Sequence, residues 1–340
     1  MMRAVYPESR RDTRNRRTPQ LWWPTTEGTE EHRGTSVRSV FLCGSFDDAS
    51  ADPLAGDMTM KWKIGDVTIT KIIELEVAGK ATWIVPDLTA ENLAGVAWCR
   101  PHFATEDGKV VMSVHALVVE SQGRRIVVDT CVGNDKTLNI PNWNKRQGPF
   151  LADLAAAGFP ADSIDTVLCT HLHVDHVGWN TSWENGRWVP TFRNARYLWH
   201  RGEYEHWSRT DQDIYGPVVQ ESVQPVYEAG LVDLVSATHA VTDEVRLEPT
   251  HGHTPGHVSI RISSRGEEAV ITGDLMHHPA QCAHPEWHSS ADSDPHAAER
   301  TRRDFLARYA DGPTLVIGTH FASPTAGRIV RDGDAFRFAV

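Results

Sequence analysis

The chain has 340 residues, enough for one large domain or two small ones and for a substantial buried core. Its residues are 40% hydrophobic and 23% charged, as in ordinary globular proteins, and the net charge of −11 argues against a nucleic-acid binder, which would present a basic face. No run of about 18 apolar residues predicts a membrane helix, and five scattered cysteines (Cys43, Cys99, Cys131, Cys169, Cys282) without a C-x-x-C pair read as free thiols of a reducing, cytoplasmic compartment.

Residues 1–57 differ from the rest. "MMRAVYPESRRDTRNRRTPQ" is rich in arginine, "TTEGTEEHRGTS" is polar without periodicity, and "SVFLCGSF" is too short for a signal-peptide core. They are expected to form a mostly disordered extension, with an arginine-rich targeting arm as the alternative. "MTMKWKIGDVTITKIIELE" opens a folded domain over residues 58–340, with Met58 or Met60 as an alternative start.

Within that domain strands and helices interleave. "KIGDVTITKIIELEV" alternates as a hairpin does, and "VMSVHALVVES" and "RRIVVDTCVG" flank a tight turn at Gln122-Gly123. "GPFLADLAAAGF" predicts a helix stopped at Gly158. "DPHAAERTRRDFLARYADG" predicts another, with an Asp-Pro start and Gly312 as its stop. Four short apolar strands each run into a residue able to bind metal: "SIDTVLCT" into His171, "EVRLEPT" into "HGHTPGH", "EEAVITG" into Asp274 and "PTLVIGT" into His320. Strand ends converge on one edge of a layered α/β domain, where such folds place their sites. The likeness of "TVLCTH" to "TLVIGTH" hints at a weak internal duplication.

"CTHLHVDHVG" crowds three histidines and an aspartate into His171 to His176. Buried imidazoles and carboxylates are unfavourable without partners, and a divalent cation is the partner that justifies the crowding. In extended chain His171 and His173 point the same way, while a following helix turn would aim Asp175 and His176 at a second ion. His253, Asp274 and His320 would complete the set, with the two oxygens of Asp274 able to bridge. Spacing alone does not choose among His251, His253 and His257.

These motifs, in this order, resemble those of the metallo-β-lactamase superfamily: H-x-H-x-D-H at His171 to His176, "THGHTPGH", "TGD" and "GTH". The resemblance spans about Lys61 to Val340. It implies an α/β fold, a four-layer αβ/βα sandwich, with His171, His173 and His253 on one metal, Asp175, His176 and His320 on the other, and Asp274 between them. It selects His253 over its neighbours, makes His257 a hydrogen-bonding residue and leaves His251 uncoordinated. Zn2+ is the expected metal, with iron and manganese open to the same ligand types. Two metals sharing a water would lower its pKa from about 15.7 to near neutrality, giving hydroxide to attack a carbonyl or phosphoryl centre. Asp175 would orient that nucleophile.

Three features narrow the substrate. His277 follows Asp274 by three residues, where acyl-homoserine lactonases of the family carry a tyrosine and methyl parathion hydrolase-like members a histidine. It would donate to the leaving oxygen, or else pack under the site, and His278 would be exposed or structural. Trp179, Trp183, Trp188, Trp199 and Trp207 could line an apolar pocket or simply pack a hairpin, while Asn180 and Arg187 read as hairpin residues. No large insert separates the motifs, which disfavours the RNA-processing nuclease members, and the stretch after His320 is too short for the electron-transfer domain of others. The expected function is a dinuclear hydrolase of small esters, lactones above all, without nucleic-acid or membrane partners; its oligomeric state is open, a homodimer included. The alternatives are a phosphotriester or aryl-ester hydrolase of the methyl parathion hydrolase type, a mononuclear iron sulfur dioxygenase and a non-catalytic metal-binding protein.

Overall fold

The computed structural model describes residues 60–209 and 214–340, so the expectation for residues 1–57, Cys43 included, lies outside the described residues. Seven strands form the first sheet: β1 (Lys61–Ile64), β2 (Val67–Gly79), β3 (Val110–Ser121), β4 (Arg124–Val128), β5 (Thr166–Leu168), and, past the small hairpin β6 (Thr181–Glu184) and β7 (Arg187–Pro190), β8 (Arg196–His200) and β9 (Val232–Val235). The first four are antiparallel; β4, β5, β8 and β9 are parallel. The second sheet runs in order through β10 (Val245–Pro249), β11 (Val258–Ser264), β12 (Glu267–Ile271), β13 (Leu315–Ile317), β14 (Ala326–Asp332) and β15 (Ala335–Ala339), antiparallel except for the β12–β13 pair.

Turn chemistry explains the hairpins. Gly65 has φ +57°, and Gln122 and Gly123 both have positive φ (51° and 77°), the left-handed backbone that a two-residue hairpin turn requires. Both hairpins agree with the sequence reading.

Helices cover both outer faces. α1 (Ala90–Ala94) contributes Leu93 and α6 (Pro295–Tyr309) contributes Phe305, Leu306 and Tyr309 to the core over the second sheet. On the first sheet the core takes Phe150 and Leu154 from α2 (Phe150–Ala156) and Val226 from α5 (Gln224–Glu228). Between the sheets, Ile69, Leu117, Val119, Ile126 and Leu168 meet Val258, Ile260, Ile262, Ile271 and Ile317. The result is the expected four-layer sandwich, helices–sheet–sheet–helices. Asp294 caps α6 through the Ala297 N–H, as its Asp-Pro start implied, but the helix ends at Tyr309, where Ala310 turns extended before Gly312. Cys99, Cys131, Cys169 and Cys282 are free and buried. Among the described residues no helix is long and apolar enough to cross a membrane.

The parallel strands matter most for the site. β4, β5, β12 and β13 deliver, at or just beyond their C-terminal ends, Asp129, the 171–176 segment, Asp274 and His320.

Candidate metal centre

After β5 the chain bends at Thr170 and His171 and reaches His173, whose own backbone is extended and which N-caps the four-residue helix α3 (Val174–Val177). The second sheet brings His253 from the loop between β10 and β11, Asp274 from the turn after β12 and His320 from the turn after β13. Two groups form. The donor atoms of His171, His173, His253 and Asp274 lie within 4.8 Å of one another, and those of Asp175, His176 and His320 form a second such group.

Asp274 faces both. Its Oδ2 is 3.7 Å from His171 Nε2 and 3.4 Å from His253 Nε2. Its Oδ1 is 3.2 Å from His176 Nε2 and 3.1 Å from His320 Nε2. Asp175 reaches the same two histidines at 3.6 Å each, and His173 turns Nδ1 to within 3.0 Å of His253 Nε2.

The donor set fits divalent cations. His171 Nε2, His176 Nε2 and Asp274 Oδ1 are buried without a hydrogen-bond partner, which a folded chain tolerates rarely unless an ion completes them. Burial holds His171 and His173 well below the ordinary imidazole range, so both are neutral and offer lone pairs. Burial alone would push Asp274 up; His176 and His320 beside it hold it well below the usual carboxylate range.

The far nitrogens of these rings are fixed as well. His176 Nδ1 lies 2.9 Å from Asp129 Oδ2, and Asp129 itself accepts from the backbone and hydroxyl of Thr170. His253 Nδ1 lies 2.8 Å from Asp292 Oδ1, with buried Arg302 3.8 Å from the other oxygen of that carboxylate. His320 Nδ1 donates to the Ser113 carbonyl at 3.0 Å. Such bonds select the tautomer that turns the remaining nitrogen inward. The sequence reading missed Asp129 and Asp292. Asp129 carried a usable signal, because it ends a strand as Asp274 does; Asp292, in a loop, carried none.

His257 accepts the Asp274 N–H at 2.8 Å and contacts Thr250 through Nδ1, so it holds the aspartate's backbone, in keeping with the hydrogen-bonding place the motif gives it. His251 stacks on His200 outside both groups. His277 Nε2 is 3.2 Å from Asp274 Oδ2, and its ring lies parallel to that of His320. Of the two readings for His278 the structural one holds: it is buried and bonded to the Phe103 carbonyl.

A cavity of about 340 Å³ opens onto this floor of His173, Asp175, Asp274, His277 and His320. Its walls are mainly apolar, but the tryptophans singled out from the sequence do not form them. Trp179 hydrogen-bonds Glu74, Trp199 is fully buried, Trp183 and Trp188 meet on the β6–β7 hairpin, and Trp207 packs on the ring of His173. Trp83, Trp143 and Tyr215 are the aromatic wall instead. They come from loops that composition alone did not connect to the site.

A two-sheet sandwich with paired histidine–aspartate groups at its strand ends defines a class of protein fold and site. The chain belongs to the metallo-beta-lactamase superfamily, whose sequence pattern matches residues 110–320. A Bacillus N-acyl homoserine lactonase is 23% identical over 173 residues, 47% of this chain and 62% of the relative. The probable metallo-hydrolase YybB of Bacillus subtilis strain 168 is 28% identical over 120 residues, 35% of this chain and 49% of the relative. The chain thus spans less than two thirds of the length of these curated relatives. Among solved structures, AidC, a dizinc quorum-quenching lactonase with bound product, superposes with a TM-score of 0.68 at 21% identity over 82% of this chain and 96% of its own. The hydrolase AbOPH gives 0.68 at 24% identity over 83% and 96%. At these identities the structural likeness is one of fold.

Proposed function

We propose that this chain is a metal-dependent hydrolase of small carboxylic esters, above all lactones bearing an acyl chain. Two divalent cations, zinc in both positions, would be held by His171, His173 and His253 and by Asp175, His176 and His320, with an oxygen of Asp274 available to each group. The observation that carries the reading is the split of the Asp274 carboxylate, one oxygen toward each histidine group, at the floor of an apolar cavity. The names of the Bacillus relative and of AidC point the same way.

Such cations lower the pKa of water toward neutrality and polarise a carbonyl oxygen. The chain's residues supply the rest. Asp175, only partly buried and bordering the cavity, orients the attacking water as an acceptor. His277 stands beside Asp274 on the same floor and donates to the oxygen that leaves the carbonyl carbon. Leu75, Val77, Ile84, Met112 and Val114 take the acyl chain out of water.

A second reading, aryl-ester or phosphotriester hydrolysis, is favoured by the histidine at 277 and by the rings of Trp83, Trp143 and Tyr215, which suit an aromatic leaving group. A substrate panel on the zinc-loaded chain separates the two. With N-acyl homoserine lactones of increasing length, kcat/KM should rise about fourfold per methylene until the cavity is filled, from about 0.8 kcal/mol per buried methylene. Turnover of an aryl phosphotriester with no lactone turnover would replace the first reading by the second. One bound iron with oxygen consumption would replace both.

A further inference from the structure

α4 (Arg201–Trp207) follows β8 without a linker, and its third residue, Glu203, is 1% exposed. A carboxylate in such a place needs several donors. It has three: the Leu172 backbone N–H on Oε1 at 3.1 Å, the Trp207 indole N–H on Oε1 at 2.7 Å, and the Gly256 backbone N–H on Oε2 at 2.9 Å.

Where those donors sit is the point. Leu172 lies between His171 and His173, in the segment leaving β5 of the first sheet. Gly256 lies three residues beyond His253, in the loop joining β10 to β11 of the second. One side chain therefore bonds both segments that bring the histidines of a single metal together. The contact is close by construction: a Cβ at Gly256 would lie 2.5 Å from the Glu203 Cβ, so only glycine fits. Trp207, fixed by the same carboxylate, sets its ring 5.2 Å from that of His173. Glu203 offers no ligand atom to either group. The other group is supported separately, through Asp129 on His176 and the Ser113 carbonyl on His320.

We infer that Glu203 is a positioning residue that pre-forms the His171–His173–His253 triad by holding two backbone N–H groups from different sheets. This rests on the two-metal reading above. A triad already assembled loses little freedom when the cation arrives, so the carboxylate sets the affinity of that site and leaves the other alone.

Glu203→Gln keeps the shape but replaces one acceptor oxygen by an amide NH2, a donor that faces an N–H. Titration of the metal-stripped chain with Co2+, followed by its visible absorption, and metal counting after dialysis are the measurements. Wild type is expected to hold two ions. In Glu203→Gln one ion should bind about 10- to 100-fold more weakly and the other as before. Trp207→Phe, which leaves both backbone bonds, should keep both ions at wild-type affinity. Wild-type affinity for both ions in Glu203→Gln overturns the inference, even if its melting temperature falls. A second measurement needs no variant. In the metal-stripped wild type the Leu172 and Gly256 amides should be protected from hydrogen exchange, and exchange at unfolded-chain rates overturns the inference too. Fewer than two ions in wild type would defeat the two-metal reading instead. The protection of the Leu172 and Gly256 amides in the metal-stripped wild type then decides the inference by itself, exchange at unfolded-chain rates overturning it.

Discussion

Asp274 can serve two groups of histidines because a carboxylate offers two oxygens on one rigid plane, and its backbone is set to aim that plane. Gly273 has φ +57°, and a Cβ there would lie 2.5 Å from His257 Nε2, the atom that accepts the Asp274 N–H. Glycine at 273, histidine at 257 and aspartate at 274 are thus one device. His277 differs in kind: it touches Asp274 Oδ2 and the cavity but belongs to neither of the two groups. If it donates to the leaving oxygen, His277→Ala should lower kcat about 100-fold or more while two metals stay bound, within the range for a positioned acid. Turnover per bound metal, set against metal content, is the measurement; unchanged kcat makes His277 a packing residue. The residues of the two groups were candidates in the sequence because each follows a short apolar strand or sits within H-x-H-x-D-H, although His253 stood apart from His251 and His257 only through the family motif. Asp292 could not, since a loop aspartate acquires meaning only when His253 arrives from a distant strand.

At the scale of elements, α3 is too short to be stable alone and is held by what it touches. The Gly178 N–H bonds the Cys131 carbonyl at 2.7 Å and the Trp179 N–H bonds the Thr130 carbonyl at 2.8 Å. Glu74, at the register shift of β2, accepts from Val132, Gly133 and the Trp179 indole, pinning the loop on which α3 rests. Gly178 and Gly133 face each other, and a Cβ at 178 would overlap the Val132 carbonyl. Gly178→Ala should therefore destabilise the fold by about 3 kcal/mol, in the manner of overpacking, and displace Asp175 and His176. A shifted urea midpoint together with lost metal checks this; a wild-type midpoint would mean that the loop yields freely. Hairpins and caps were legible here because Gly65, Gln122-Gly123 and Asp294 act locally. The cavity wall was not, because Trp83 and Trp143 are 60 positions apart and meet edge-on only once β2 and the loop before α2 are in place.

At the scale of the molecule, the candidate ligands divide between the two sheets. His171, His173, Asp175 and His176 follow the first, and His253, Asp274 and His320 belong to the second. The apolar layer between the sheets holds them face to face without help from the site, since it is built from aliphatic residues of both. Cations at the edge would then act as an added clasp on a fold that exists without them. Anything that binds the native chain and not the unfolded one stabilises it by mass action, about 2.7 kcal/mol for each site held at a hundred times its dissociation constant. Chelation should therefore lower the urea midpoint by an amount that grows with the free metal concentration of the control. The slope of the transition should stay the same, because the surface exposed on unfolding is set by the sheets and helices rather than the ions. A chelated chain with the wild-type midpoint would mean that the clasp contributes nothing. A chelated chain with a much shallower slope would mean that the two sheets need the ions to stay together.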